Sequence, residues 1–273
     1  MDITSQAIPK TKKWVERFAR FGYAAKGAIY VIVGVLSAMA AFGGSEGQTT
    51  GRSGAFKEIA QQPFGQILLG IVAIGFIGYA VWRFIQAIQD AENKGDDASG
   101  IAVRIGYALS GMLYGYFAYY AFQMISGSGG SSSGGGNKFI VGKLLEQPFG
   151  QFLVGIFAAL IIAKGIYQIH KVTSGSYIKG IKDSQMNDKL QTTYRKLGQF
   201  GLIARAVVFG VIGFFLAKAA FAASASKAKG TEGAFDFLVA EGGPIVMGIV
   251  AIGLASYGVF EFFKAKYKPF RTD

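Results

Sequence analysis

The most regular feature of the chain is its alternation of long apolar runs with shorter polar stretches. The apolar runs cover roughly 19–42, 64–88, 102–125, 149–172, 199–223 and 244–264. Each run is near the roughly 20 residues that a helix needs to cross a bilayer. Apolar positions within a run are continuous rather than alternating, which favours helices over strands. The pattern therefore predicts an all-α, polytopic membrane protein with six transmembrane helices.

The apolar runs come in pairs, and short sequence signatures recur with the same pairing. Phe-Gly-Tyr-Ala-Ala-Lys-Gly at 21–27 recurs at 105–111 and, more weakly, at 200–206. Gln-Pro-Phe-Gly-Gln at 62–66 recurs at 147–151, and Gly242-Gly243-Pro244 takes its place in the third unit. This predicts three tandem helical-hairpin repeats in one membrane domain, since a lone hairpin has few packing partners. The predicted segments are a leader at 1–18, repeats at 19–90, 91–175 and 176–268, and a tail at 269–273.

Composition agrees with a membrane protein and excludes several kinds of site. Hydrophobic residues make up 51% of the chain and charged residues 16%, whereas a soluble domain has about 25% charged residues. The chain has no cysteine, which excludes disulfides, thiolate metal sites and cysteine nucleophiles. A single histidine, His170, excludes any site with several histidine ligands. We therefore predict no metal and no cofactor.

Basic residues are concentrated on one side of the predicted helices. The formal net charge is +12, and six crossings place both termini on the same side. Most lysines and arginines outside the apolar runs lie at the termini and in the loops on that side. The opposite loops carry only Arg52, Lys57, Lys138, Lys143, Lys227 and Lys229. The bias predicts that both termini are cytoplasmic. It also accounts for the basic charge without a nucleic-acid partner, for which no motif is present.

The N-terminal segment admits two interpretations. Between Thr11 and Phe21, basic residues alternate with Trp14 and other apolar residues, which gives a basic amphipathic face suited to the anionic lipid headgroups of the cytoplasmic leaflet. The alternative is a solvated helix start anchored by Trp14. Ala38-Met39-Ala40 also suits signal-peptide cleavage. The recurrence of this run at 105–126 and 200–221 argues against cleavage.

Polar residues inside the apolar runs are the candidate functional residues. The repeats align Lys26 with Ser110 and Arg205 on their first helices, and Arg83 with Gln168 and Glu261 on their second helices. All six lie in the cytoplasmic third of the membrane, so they could form one polar layer. Such groups are costly in lipid and usually face the bundle or a cavity. They would bind a ligand, proton or lipid headgroup, or else snorkel to an interface about 9 Å away and join the repeats as ion pairs.

Lys164 is a separate candidate, as a residue of a transport pathway. It lies near the middle of the fourth apolar run, where the other repeats have Tyr79 and Tyr257. A lysine in place of a tyrosine at bilayer depth is unusual. Structural and functional interpretations of Lys164 remain open, whereas Lys218, close to the outer end of its run, is expected to snorkel.

Several motifs resemble a known family. Gly78-Tyr79-Ala80-Val81-Trp82-Arg83, together with the two repeated signatures above, resembles bacterial six-helix membrane proteins built from three copies of the domain of unknown function numbered 1206. The resemblance runs from about Phe18 to Tyr267 and is strongest in the first repeat. The second repeat has Ser110 and Tyr167-Gln168 instead, and the third has Phe260-Glu261. The resemblance implies a bacterial inner-membrane protein and transfers no functional residue, because the family has no established activity.

Three functional hypotheses follow. The first is a structural or accessory component of a larger membrane complex, favoured by glycine-rich helix faces and diverged repeats. The alternative is a pathway for a small solute, ion or lipid, formed by three hairpins around a pseudo-threefold axis. Mitochondrial carriers also have three two-helix units, but their Pro-x-Asp/Glu-x-x-Lys/Arg element is absent here. A membrane enzyme comes last, since no catalytic constellation is visible.

Overall fold

The computed structural model describes residues 13–42, 52–61, 63–126, 141–178, 181 and 186–269, and all regular structure within these ranges is helical. The predicted all-α class is therefore confirmed for them. Most of the leader, the glycine- and serine-rich loop and the end of the tail lie outside the described residues. The helices are α1 (Lys13–Phe42), α2 (Arg52–Gln61), α3 (Gly65–Ile88), α4 (Ala98–Ile125), α5 (Gly150–Thr173), α6 (Asp188–Phe221) and α7 (Thr231–Tyr267).

Five of these helices are long and apolar enough to cross a membrane, namely α1, α3, α5, α6 and α7. The length and composition of its helices are those of a multi-pass membrane protein. α4 is also long, with 28 residues. It is less apolar than the others because it contains five tyrosines together with Arg104, Ser110 and Gln123.

The six long helices pack in the order α4, α3, α1, α7, α6, α5. The most extensive contact is between α1 and α7, at the centre of this arrangement. The long helices of the first repeat, α1 and α3, pack together, as do α6 and α7 of the third. Those of the second repeat are not a packed pair: α4 lies on α3, and α5 lies on α6. The second repeat therefore differs from the predicted hairpin.

The split of the second repeat has a cause in its sequence. In the first repeat, a Cβ on Gly75 would lie 2.3 Å from the Cβ of Ala25. The third repeat has the same close contact between Gly253 and Ala204, at 2.4 Å. The second repeat has leucine at both corresponding positions, Leu109 and Leu160, and both are exposed. Small residues let two helix backbones approach closely, whereas two leucines hold them apart.

Glycines also bring α1 and α7 into backbone contact. A Cβ on Gly27 would lie 2.8 Å from the carbonyl oxygen of Gly258, and a Cβ on Gly258 would lie 2.6 Å from that of Gly27. Two turns after Gly27 on α1, a Cβ on Gly34 would lie 2.5 Å from the backbone nitrogen of Ala255. This crossing places the neighbouring side chains of Lys26 and Glu261 in the middle of the protein.

In each repeat the chain turns sharply before the second long helix. Phe64 has φ of 61° and ψ of 20°, and Phe149 has φ of 63° and ψ of 16°, so both are left-handed. Gly243, with φ of 75° and ψ of 175°, interrupts α7 near the corresponding place. The residue after each phenylalanine is a glycine that packs against the preceding helical segment. A Cβ on Gly65 would lie 2.3 Å from the carbonyl oxygen of Ile59, and a Cβ on Gly150 would lie 2.1 Å from that of Leu144. The turn therefore folds a short helical segment back against the long helix in each repeat.

In the third repeat this turn divides α7 into a short arm, residues 231–242, and a long arm, residues 244–267. The ring of Phe237 on the short arm lies 5.3 Å from the ring of Phe215 on α6. Thr231, the first residue of the short arm, lines a cavity together with Val33 and Leu254, which lie near the middle of their apolar runs. The short arm therefore begins inside the bundle, a feature that the sequence analysis did not predict.

Candidate functional site: a buried charged layer

The centre of the charged layer is Lys26 on α1, whose side chain is buried. Its ammonium donates hydrogen bonds to the hydroxyl of Tyr257 at 2.7 Å and to that of Tyr79 at 3.2 Å. It also lies 3.3 Å from a carboxylate oxygen of Glu261. These partners come from the first and third repeats, so the ammonium joins the two repeats across the α1–α7 crossing.

Glu261 is fully buried and carries a second cation. The ammonium of Lys264 lies 2.6 Å from its other carboxylate oxygen, one turn further along α7. A buried carboxylate is costly unless its charge is paired and its oxygens accept hydrogen bonds. The single negative charge of Glu261 is therefore paired with two lysine ammonium groups.

Arg83 extends the layer toward the C-terminal end of α3. Its guanidinium donates to the Tyr79 hydroxyl, which also accepts from Lys26, and to the side-chain oxygen of Gln86 at 3.0 Å. Its guanidinium carbon lies 5.0 Å from the centroid of the Tyr107 ring on α4. The Tyr79 hydroxyl thus bridges two cations that belong to different helices.

Arg205 on α6 joins the layer through aromatic rings. Its guanidinium carbon lies 4.1 Å from the ring centroid of Tyr257, 5.2 Å from that of Tyr30 and 5.1 Å from that of Phe209. Such contacts attract a cation to the negative face of the ring. The residue is 8% exposed, and its buried Nε has no hydrogen-bond partner among the described residues. The buried guanidinium of Arg205 therefore forms no salt bridge with a carboxylate of the described residues.

The structure brings together four of the six predicted layer residues, Lys26, Arg83, Arg205 and Glu261. Gln168 is buried on α5, but its amide donates to the carbonyl of Lys164 in its own helix, at 3.4 Å. Ser110 is half-buried on α4, and no hydrogen bond joins it to the four. Both belong to the second repeat, whose long helices are apart.

Lys164 lies outside the charged layer. It is exposed on α5, and its ammonium lies 5.5 Å from the ring centroid of Phe209, the ring that Arg205 also contacts. The ammonium of Lys171, two turns later on α5, lies 4.7 Å from the ring centroid of Tyr167.

A second cluster, centred on Glu92, lies in the loop between α3 and α4. The Glu92 carboxylate accepts hydrogen bonds from Lys268 at 2.6 Å, from Tyr107 at 2.7 Å and from Gln86 at 2.5 Å. Lys268 donates as well to the hydroxyl of Tyr23, at 3.3 Å. The cluster ties all three repeats together, because Gln86, Tyr107 and Lys268 each come from a different one.

The charges of this second cluster stabilise each other. Burial alone would raise the pKa of Glu92, but the ammonium of Lys268 and the hydrogen bonds from Lys268 and Tyr107 hold that pKa well below its usual range. Burial likewise lowers the pKa of Lys268, and Tyr23 and Glu92 outweigh it, so that this pKa is raised. Both groups are therefore charged at neutral pH.

The sequence analysis missed the residues that connect the layer. Tyr79 and Tyr257 were used only as the aligned counterparts of Lys164, although their recurrence at one position of two repeats was the signal that they share a function. Lys264 and Lys268 were considered only as part of the positive charge on the predicted cytoplasmic side. Glu92 lies in a polar loop, and no sequence pattern pairs it with Lys268.

The chemistry of the layer is that of charge pairing. No group of three histidine, cysteine or acidic side chains that could hold a metal ion occurs in the described part of the chain. The buried Glu261 and the half-buried Glu92 are already bound by lysines. The layer therefore holds the repeats together and leaves an excess of positive charge around Arg205.

Comparison with known proteins identifies the repeats. The Domain of Unknown Function (DUF1206) matches three segments, 21–90, 105–175 and 200–268. An uncharacterized protein YxxB from Bacillus subtilis (strain 168) is 35% identical over 267 residues, which cover 97% of this chain and 95% of that protein. No solved structure matches the chain. With three matched copies across most of its length, the chain belongs to the DUF1206 family.

Proposed function

We propose that the protein lies in the bacterial inner (cytoplasmic) membrane, crosses it six times and has both termini in the cytoplasm. The sixth crossing is α4, whose 28 residues correspond to about 42 Å of helix. The repeat alignment pairs α4 with α1 and α6, which are apolar enough to span. The orientation is supported by the bias of lysine and arginine toward one side.

Single cysteines test this topology without background labelling, since the native chain has no cysteine. A membrane-impermeant maleimide is expected to label Ala222→Cys, after α6, in intact cells. Ser174→Cys, after α5, should react only once the cytoplasm has been opened. Labelling in the reverse order would contradict the orientation.

As its function we propose an accessory component of a larger membrane complex, which binds a transmembrane helix of a partner protein beside α4 and α5. The observation that carries this proposal is the open second repeat. Leu109 and Leu160 are exposed there, and Gly106, one turn before Leu109 on α4, has no atom within 4 Å of where a Cβ would stand. A glycine on such a face suits the close approach of another helix.

Charge indicates the chemistry of the partner helix. Lys164 is exposed near the middle of the predicted span of α5, and an exposed ammonium is costly in hydrocarbon. Cations also outnumber carboxylates in the buried layer, where Lys26, Arg83, Arg205 and Lys264 surround Glu261. A partner helix with a carboxylate at mid-bilayer depth would complement Lys164, and we infer that the partner carries one.

Photo-crosslinking combined with a gentle-detergent pull-down tests the accessory function. A photoreactive residue in place of Leu160 should capture one protein in stoichiometric amount, at a membrane segment with an acidic residue. The same group in place of Ile71, an exposed residue of α3, should capture lipid.

Lys164→Ala should dissociate that complex, and the matched variant Lys218→Ala should leave it intact. Capture of lipid at both positions, or a complex that survives Lys164→Ala, would contradict the proposal.

A second candidate function is a pathway for a small solute or ion, favoured by the packing order. Each second helix contacts the first helix of the following repeat, since α3 packs on α4, α5 on α6 and α7 on α1. This is the arrangement of a pseudo-threefold ring, opened at one contact. The purified protein, reconstituted in liposomes, should then conduct ions measured with ion-sensitive dyes, and Lys164→Ala should reduce the flux more than Lys218→Ala. Equal, negligible effects would exclude Lys164 from a pathway.

A further inference from the structure

A small cavity lies beside Arg205, where α1, α6 and both arms of α7 meet. Its volume is about 20 Å³, enough for one particle of about the size of a water molecule. Tyr30, Arg205 and Thr231 supply its polar groups, and the rest of the lining is apolar. The lining residues therefore include one guanidinium and two hydroxyl-bearing side chains among apolar residues.

Arg205 leaves hydrogen-bond donors unused at this cavity. Its side chain is 8% exposed, and within the described residues it forms cation–π contacts but no hydrogen bond or ion pair. A guanidinium has five N–H donors, and unsatisfied donors buried in an apolar environment cost free energy. The nearest buried carboxylate, Glu261, is bound by Lys26 and Lys264. An acceptor other than a protein carboxylate is needed to satisfy Arg205.

The short arm of α7 begins at the same cavity. Thr231 is its first residue, and the preceding Gly230 provides no side-chain cap. The first backbone N–H groups of a helix have no acceptor within the helix, and its N-terminus carries a partial positive charge. The short arm has 12 residues up to Gly242, so this end of the helix attracts an anion in addition to the guanidinium.

We propose that this cavity binds one small inorganic anion of the halide class, held by Arg205, the hydroxyl groups of Tyr30 and Thr231, and the N-terminus of the short arm. A cavity with room for about one water-sized particle suits a monatomic anion. The anion neutralises a cation that would otherwise lie uncompensated at bilayer depth. The site is independent of any partner beside α4 and α5, because all of its lining residues belong to α1, α6 and α7.

Chloride-35 NMR on the purified full-length protein in detergent tests the site. The protein should broaden the chloride line, and bromide should reverse the broadening in a saturable manner at constant ionic strength with gluconate. Arg205→Gln should abolish the saturable part. The matched control Arg83→Gln, which removes a buried arginine whose donors are already bonded to Tyr79 and Gln86, should retain it.

Thr231→Val provides a second variant if Arg205→Gln does not fold. It removes one hydroxyl without changing charge or shape. The bromide concentration that displaces half of the bound chloride should rise about tenfold, because one hydrogen bond to an ion is lost. Absence of saturable broadening in the native protein would mean that the cavity holds water only. Equal broadening in native protein, Arg205→Gln and Thr231→Val would place the anion elsewhere. Either result overturns the proposal.

Discussion

At the scale of single residues, glycine decides which helices touch. Gly22 lies against the backbone of Tyr79, where a Cβ would come within 2.5 Å of the Tyr79 nitrogen. Gly201 has the same relation to Tyr257 in the third repeat, with a closest distance of 2.6 Å. Gly106, at the same position of the second repeat, has no atom within 4 Å. Glycine at this repeat position thus forms a close helix contact in the first and third repeats but not in the second.

This difference predicts opposite responses to one substitution. Gly22→Ala should destabilise the protein by about 1–3 kcal/mol, because the added methyl group overpacks a backbone contact. Gly106→Ala should leave stability unchanged or raise it slightly, since alanine is the better helix former. Thermal unfolding of the purified variants in one detergent measures both. Equal destabilisation would mean that α4 and α5 pack together as α1 and α3 do.

At the scale of elements, the turn before each second long helix selects its residues by backbone conformation. Phe64 and Phe149 adopt the left-handed conformation although they have side chains, and both are exposed. Gly243 interrupts α7 in the third repeat with a different conformation, φ of 75° and ψ of 175°, which glycine adopts readily and which residues with a Cβ avoid. The turn reverses the chain, so that the short arm of α7 enters the bundle and brings Thr231 to Arg205.

The turn in α7 can be tested with two glycines that both have open space around them. Gly243→Ala should destabilise the protein by about 1–3 kcal/mol, because a Cβ disfavours the conformation of Gly243, with φ of 75° and ψ of 175°. Gly210→Ala, on the regular helix α6, should instead stabilise it by up to about 1 kcal/mol. Neither Cβ would meet another atom within 4 Å. The sign of the change in stability therefore reports backbone conformation alone. Thermal unfolding would contradict the turn if both variants changed in the same direction.

At the scale of the whole molecule, one buried and one half-buried carboxylate hold the repeats together. Glu261 pairs with Lys26 of the first repeat, and Glu92 binds groups from all three repeats. The second cluster is the link from α4 to the C-terminal end of α7, which are not neighbours in the packing order. Its loss should therefore loosen the open side of the molecule first.

Glu92→Gln tests this link through its pH dependence. Because the folded-state pKa of Glu92 is depressed, its contribution is present above the unfolded value of about 4.3 and is lost as pH falls below it. At pH 7 the variant should be about 2 kcal/mol less stable than the native protein, and the difference should narrow below about pH 4. Denaturation of both proteins across pH measures this, with the exposed Glu241→Gln as control. A difference that does not vary with pH would contradict the charge-based contribution.

Repetition and hydrophobicity in the sequence determined much of the molecule. The long apolar runs predicted membrane-crossing helices, because a 20-residue apolar segment has few other stable environments. The recurring signatures predicted the three copies that the family match bears out. Lys26, Arg83, Arg205 and Glu261 stood out because charges in such runs are costly, and that cost applies whatever the tertiary arrangement.

Only the tertiary structure decided which helices are neighbours and which polar groups meet. The Leu109 and Leu160 positions looked like ordinary apolar residues, yet their size separates α4 from α5 and leaves Ser110 and Gln168 apart from the charged layer. Glu92 reaches Lys268 across 176 residues of sequence, and Thr231 reaches Arg205 through a turn within α7. Hydrophobicity is a property of each residue alone, and the sequence displays it directly. Contact depends on the joint fit of residues far apart in the chain, which only the folded backbone specifies.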